Sequence, residues 1–169
     1  MTNEERRAFL EDKVDYLIEI PFTREMMEME AEKFIDEILY KKLHASHIVV
    51  GTDFNFGHEK RGNHQMLEKY AAKYGYTVDV VEKAYYKDRE ISSTYIRELL
   101  LDGNVPLANE LLGYPYEITS VVEHGQQLGR TLGFPTMNLA PQGKKILPKY
   151  GVYACRVLVD GVWYGGVGN

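Results

Sequence analysis

A chain of 169 residues with 44% hydrophobic, 27% charged and 12% aromatic side chains has the make-up of one ordinary folded domain or two small ones, and excludes a disordered or fibrous protein. Its net charge of −5 argues against nonspecific nucleic-acid binding, which needs a basic surface to displace counterions. No apolar run approaches the roughly 20 residues that span a bilayer, and the single cysteine, Cys155, rules out an internal disulfide framework.

The start, MTNEERRAFLEDK, is acidic and helical and lacks the layout of a signal peptide, so a cytoplasmic protein is expected. Thr2 followed by Glu5 fits a capping box that opens a polar helix, and VDYLIEI after it has the β-branched and aromatic content of a strand, ended by Pro21. Over residues 24–43 the apolar positions Phe34, Ile35, Ile38, Leu39 and Leu43 recur at helical spacing, and HIVVG follows as a short strand of the buried kind. Residues 63–74 are again helical, with Gly75 just past the end, and YTVDVV is the next strand. Alternation at this spacing predicts parallel strands covered by helices, the doubly wound α/β pattern. Two more helices are predicted over residues 94–101 and 105–112, the second with Asn104 as cap and Pro106 in its first turn.

At Gly113 the texture changes. Residues 1–112 hold five glycines and the last 57 residues hold ten. The strand candidates YEITSVVE, FPTMNL, VYACRVLV and VWYGGV alternate with turns there, and Asp160-Gly161 is a two-residue hairpin signal. Charge divides at the same place: 15 basic against 22 acidic side chains before it, 5 against 3 after it. A domain boundary is expected near residues 112–115, with an antiparallel, barrel-like piece beyond it.

The stretch GQQLGRTLGFPTMNL, residues 125–139, carries the most chemistry. Gly125, Gly129 and Gly133 let the backbone turn sharply and bring N–H groups close to a ligand, and Arg130 can pair with phosphate oxygens; a flexible turn is the plainer alternative. Thr136 and Asn138, two apart on a predicted strand, place a hydroxyl and an amide oxygen on one face, hard ligands of the kind Mg2+ takes beside phosphates. A second motif, ISSTYIRELL, sets Ser93 and Thr94 at a helix start and Arg97 one turn on, which suits an anion but equally a plain serine cap with a solvated arginine. In VVGTDFNFG, Gly51 and Asp53 fall just past the carboxyl end of a strand, where open α/β sheets bind ligands.

The run GRTLGFPTMN followed by LPKYGVYA resembles the riboflavin kinase family, and GTDFNFG with ISSTYIR, in that order upstream, resembles the FMN adenylyltransferase module of bacterial FAD synthetases. The resemblance implies a Rossmann-like nucleotidyltransferase portion over residues 1–112 and part of an antiparallel β-barrel riboflavin kinase domain over residues 113–169. It implies ATP with Mg2+ as substrate complex, and riboflavin, FMN and FAD as substrates or products. Thr136 and Asn138 would hold the Mg-nucleotide, with Gly125, Gly129, Arg130 and Gly133 about its phosphates. Ser93, Thr94 and Arg97 would meet ATP phosphates in the other module, with Asp53 close to the nucleotide. No nucleic-acid or membrane partner is implied.

Two elements of the family pattern are missing from this sequence. It has no His-x-Gly-His; the nearest string, His44-Ala45-Ser46-His47, precedes a strand and has serine for glycine, while His58, His64 and His124 stand singly as polar groups. The kinase's general-base glutamate lies beyond the GVxNxG region, within which Asn169 falls, and Glu117 and Glu123 precede the glycine loop. The chain therefore reads as the central part of the family's length, without catalytic residues of its own and inactive in both reactions. Its sheet edges are expected to be unpaired and prone to self-association. The alternatives are a noncatalytic nucleotide-binding fragment or scaffold, and an unrelated phosphate-binding α/β protein, which accounts for SSTxxR but not for GRTLGFPTMN.

Overall fold

The computed structural model describes every residue except 126, 127, 132, 135, 142 and 144, and only the backbone of Leu128 and Arg130. The first elements in chain order are helices α1 (Asn3–Leu10), α2 (Arg24–Met27) and α3 (Ala31–Lys33), the last running on into a π-helical stretch, Phe34–Lys42. Strands β1 (His47–Gly51), β2 (Asn55–Phe56) and β3 (Gly62–Asn63), helix α4 (His64–Tyr74) and strands β4 (Thr77–Val81), β5 (Tyr85–Tyr86) and β6 (Arg89–Glu90) come next. Helices α5 (Ser93–Asp102) and α6 (Val105–Leu112) precede β7 (Val122–Glu123), α7 (Leu128–Thr131), β8 (Asn138–Leu139), β9 (Tyr153–Val159) and β10 (Val162–Gly168). They form two compact units, Tyr16–Glu90 and a second made of Met1–Asp15 with Ile91–Asn169. Among the described residues no helix is long and apolar enough to cross a membrane.

In the unit Tyr16–Glu90, β1 and β4 pair in parallel from His47↔Thr77 to Gly51↔Val81, and α4 makes the crossover. Helix α4 starts where the Asn63 side chain accepts from Met66 N at 3.0 Å. It stops where Gly75, at φ 75°, takes up the left-handed conformation that glycine adopts without a Cβ penalty. Its buried face carries Leu67, which packs with Ala31, Ile35, Phe56 and Tyr76. Each such large side chain taken fully from water stabilises by roughly 1.5–3 kcal/mol. The Tyr76 hydroxyl donates to the Leu67 carbonyl at 2.8 Å, so the phenol is buried with its polar end satisfied.

Two expectations fail in this unit. The helix over residues 24–43 is not continuous: Met29 is buried and its carbonyl accepts from His58 N at 2.7 Å, which takes it out of the helical ladder between α2 and α3. VDYLIEI forms no strand. A strand needs a partner, none of the described strands pairs with it, and Tyr16, Leu17, Ile18 and Ile20 are exposed.

In the other unit, α5 and α6 pack through Ile96, Leu99, Leu100 and Ala108. The bend between them is set by Gly103 at φ 83° and by Asn104, whose side chain accepts from Leu107 N. Helix α1 carries the expected capping box, with Thr2 and Glu5 bonded reciprocally. Strands β9 and β10 form an antiparallel hairpin from Val162↔Val159 to Gly168↔Tyr153. Its turn residues Asp160 and Gly161 both have positive φ, 48° and 80°, as a tight hairpin turn requires.

Among the described residues YEITSVVE and FPTMNL pair as β7 with β8, through Val122↔Leu139 and Glu123↔Asn138. Side-chain bonds tie the first of these segments to other parts of the unit. Tyr116 N donates to Asn109 Oδ1 at 2.8 Å, its hydroxyl to the Ile146 carbonyl at 2.7 Å, and the Ser120 hydroxyl to the Ala140 carbonyl at 2.6 Å.

Candidate functional site

The glycine loop is built by close approach. An added Cβ on Gly125 would overlap Asn138 Nδ2, and one on Gly129 would overlap the Phe134 carbonyl and lie 3.3 Å from Thr136 Oγ1. Phe134 N donates to the Gly129 carbonyl at 2.7 Å, which folds the loop back on itself. The sequence-predicted residues Gly125 and Asn138, and Gly129 and Thr136, are thus neighbours in space. Gly133, at φ 80°, turns the chain between them with open space about its Cα. Thr136 lies outside β8, so the shared strand face expected for Thr136 and Asn138 is not formed; the folded loop brings each of the two against its own glycine instead. The Arg130 side chain lies outside the described residues.

Hard oxygen atoms on Thr136 and Asn138, each beside a glycine of the loop, are a donor set that fits Mg2+ carried in on a nucleotide's phosphates. Among the described residues no group of three or more His, Cys, Asp or Glu side chains is placed to hold a metal by itself.

At the start of α5, Ser92 is the cap, its hydroxyl accepting from Tyr95 N at 3.3 Å. Ser93 and Thr94 then occupy the first turn, exposed, where helix N–H groups have no intrahelical acceptor and the dipole favours an anion. Arg97 is exposed one turn further along.

Asp53 lies two residues past the carboxyl end of β1 and is ion-paired. Lys83 Nζ is 3.1 Å from Asp53 Oδ2 and 2.8 Å from Glu90 Oε1. The hydrogen bond from Lys83, and then its charge, hold the Asp53 carboxyl below its ordinary value, and the bonds to Glu90 and Asp53 raise Lys83. Neither Lys83 nor Glu90 was singled out by motif. The signal is the parallel register: a constant offset of 30 runs from His47↔Thr77 to Gly51↔Val81, and carrying it two residues on sets position 53 against 83.

The histidines fall outside these sites. His47 Nδ1 is 2.6 Å from Thr77 Oγ1 and Nε2 is 3.1 Å from Asp79, a cross-strand polar contact on the exposed face of the parallel pair. His44 sits at positive φ, 48°, between the π-helical stretch and β1. His58 Nδ1 is 3.4 Å from the Met27 carbonyl. His64 departs from the expected surface group: its Nδ1 is buried without a hydrogen-bond partner, while its Nε2 lies 2.8 Å from Gln65 Nε2. His124, Glu123 and Cys155 are exposed.

Fold and motif order define a mixed α/β chain in which a parallel strand–helix–strand unit precedes a glycine loop and an antiparallel hairpin. The chain belongs to the FAD synthetase family, whose model matches residues 1–95, and the riboflavin kinase family model matches residues 112–169. It is similar to the bifunctional riboflavin kinase/FMN adenylyltransferase of Escherichia coli (strain K12), with 39% identity over 155 residues, 92% of this chain and 49% of the relative. The protein of the same description from Haemophilus influenzae is 40% identical over 158 residues, 93% of this chain and 51% of the relative. That from Bacillus subtilis is 39% identical over 169 residues, 95% and 52%. A solved chain described as a macrolide-efflux protein from Streptococcus pneumoniae superposes with a TM-score of 0.88 at 32% identity, covering 99% of this chain and 54% of that one. The chain spans about half the length of the curated relatives it matches.

Proposed function

We propose that this chain belongs to an enzyme of flavin cofactor synthesis, whose two reactions are ATP-dependent phosphorylation of riboflavin to FMN and adenylylation of FMN to FAD. The observation that carries the reading is the pair of family matches in one order along one chain, residues 1–95 and then 112–169. In this reading a Rossmann-like nucleotidyltransferase portion meets a barrel-type kinase portion near residues 112–115. In the first reaction the riboflavin 5′-hydroxyl attacks the γ-phosphorus of ATP and ADP leaves; in the second the FMN phosphate attacks the α-phosphorus and pyrophosphate leaves. Both depend on positioning and charge neutralisation more than on covalent chemistry by the protein.

Gly125, Gly129 and Gly133 supply a close backbone approach to the kinase nucleotide, with Arg130 assigned to its phosphates and Thr136 and Asn138 to its Mg2+. Bound there, Mg2+ offsets charge on the phosphate oxygens. In the adenylyltransferase portion Ser93, Thr94 and Arg97 face ATP phosphates and Asp53 the nucleotide. A second reading is a nucleotide-binding chain without turnover. The test is to titrate the full chain with Mg-ATP, riboflavin and FMN by calorimetry and to separate flavin products chromatographically. Binding of Mg-ATP together with riboflavin or FMN supports the first reading, binding of Mg-ATP without either flavin the second, and no binding of either ligand class overturns both, while FMN or FAD formed by the chain itself overturns its expected inactivity.

A further inference from the structure

Beyond the residues the motifs mark, the carboxyl edge of the parallel pair carries a three-member ion network. Lys83 is three-quarters buried as a side chain, at 28% exposure, and its ammonium lies between Asp53, 71% exposed, and Glu90, 37% exposed. Each member sits on a different piece of chain. Asp53 is on the turn after β1, which Phe54 N closes on the Gly51 carbonyl at 3.1 Å; Lys83 follows β4; and Glu90 ends β6, whose partner β5 pairs Tyr85 with Glu90.

The Asp53 turn is constrained from its other sides too. Asn55 Nδ2 donates to the Asp53 carbonyl at 2.7 Å, and a Cβ on Gly51 would come within 3.2 Å of Asp53 Oδ1. An exposed carboxylate on a loop ordinarily samples several rotamers, and freezing it costs entropy at the moment a ligand binds. A lysine fixed on its far side by a second carboxylate removes that cost beforehand. An isolated surface pair contributes little, whereas a network with one half-buried member is the case in which geometry is held.

We propose that Lys83 is a positioning residue for nucleotide binding: anchored by Glu90, it fixes the Asp53 carboxylate at the carboxyl edge of β1 and β4 for contact with the nucleoside portion of ATP. The inference rests on the proposed nucleotide role of Asp53. Lys83 is assigned to act through Asp53, since Asp53 and Glu90 take two of the three donors of its ammonium; a phosphate contact by the third is the outcome that the tripolyphosphate arm of the test detects.

Two readouts on the full chain test it. The first follows the Asp53 carboxyl carbon by NMR against pH. Its midpoint should lie below the ordinary aspartate value of 3.8 in the wild type, rise in Lys83→Met, and stay low in Lys83→Arg. The charged group facing Asp53 that sets this midpoint is Lys83, by its hydrogen bond and then its charge; Glu90 engages Lys83 on its other side. The second is calorimetry with ATP, AMP and inorganic tripolyphosphate. Lys83→Met should weaken ATP and AMP by roughly threefold to fivefold, leave tripolyphosphate unchanged and add nothing further to Asp53→Asn, while Lys83→Arg restores binding. An Asp53 midpoint unmoved by Lys83→Met overturns the positioning role even where ATP binds. A matching loss of tripolyphosphate affinity overturns it in favour of direct phosphate contact. A wild-type chain that binds neither ATP nor AMP overturns the nucleotide reading of Asp53 itself, and the Asp53 midpoint then reports on the ion network alone.

Discussion

Glu5→Gln tests a charge that the fold of the unit Met1–Asp15 with Ile91–Asn169 depends on. Lys145 Nζ donates to both Glu5 oxygens at 2.7 Å, and the two side chains are only 5% and 14% exposed. The ammonium also lies 4.6 Å from the centre of the Tyr116 ring, and Phe9 on the same helix packs against Tyr114 at 4.9 Å. Glutamine keeps the capping bond that Thr2 N donates to Glu5 Oε2 at 2.7 Å, so the substitution removes charge without removing the cap. What remains is a buried ammonium facing an aromatic ring. Losing one partner of a buried pair costs about 3–5 kcal/mol, and the ring recovers about 1 kcal/mol, leaving roughly 2–4 kcal/mol. With a slope near 2 kcal/mol per molar urea that is a midpoint fall of roughly 1–2 M. Trp163, the single tryptophan, lies in the same unit and reports the transition by fluorescence. Burial opposes the charged form of Glu5, but the bonds from Lys145 and Thr2 and the charges of Lys145 and the amino terminus outweigh it and hold the carboxyl below 4.5. The sign follows: the wild-type advantage is full above pH 4.5 and is lost as pH falls through the lowered midpoint. A Gln variant within about 0.5 kcal/mol of wild type at pH 7, the range of ordinary surface changes, or a difference unchanged by acid, would refute the argument. So would costs that add when Lys145→Met is combined with it, since a pair that acts as a unit is not additive.

The other expected outcomes concern the loops and the second core. Gly129→Ala should disrupt the glycine loop, because its Cβ meets the Phe134 backbone carbonyl, and should abolish Mg-ATP-linked riboflavin affinity in a fluorescence titration; Gly125→Ala, which meets only the end of the Asn138 side chain, should lose less. Asn138→Ala should remove the Mg2+-dependent part of ATP affinity and leave the Mg2+-independent part. Arg97→Ala should weaken ATP roughly tenfold by calorimetry, the worth of one charge-assisted hydrogen bond; unchanged affinity returns Arg97 to a solvated surface group. Leu67→Ala, fully buried at 0% exposure, should destabilise the unit Tyr16–Glu90 by about 2–5 kcal/mol in urea followed by circular dichroism.

Local rules were enough wherever the chain closes its own bonds. The Thr2 and Asn104 caps, the Gly75 stop and the Asp160-Gly161 turn all stand where the sequence predicts, since each satisfies backbone groups within a few residues. The parallel pairing of HIVVG with TVDVV was also legible, because a helix of that length between two apolar runs leaves no room for a hairpin. VDYLIEI was misread for the complementary reason: strand propensity describes a half-buried pleated surface, and these residues are exposed without a partner among the described strands. The break at Met29 was invisible as well, because it depends on a backbone bond from His58, almost thirty residues away.

The candidate site divides along the same line. Glycines, the SSTxxR helix start and the PTMN oxygens announce themselves because few residue types can do what they do. Lys83 and Glu90 are common surface residues, and nothing in KAYYKDRE distinguishes a lysine that anchors a carboxylate from one that faces water. What distinguishes it is register. Once β1 and β4 are known to run in parallel at an offset of 30, positions 53 and 83 leave the same edge together, and an acid and a base placed there meet. The pairing is a property of the sheet, and only after the sheet is drawn does the lysine acquire a role that substitution can test.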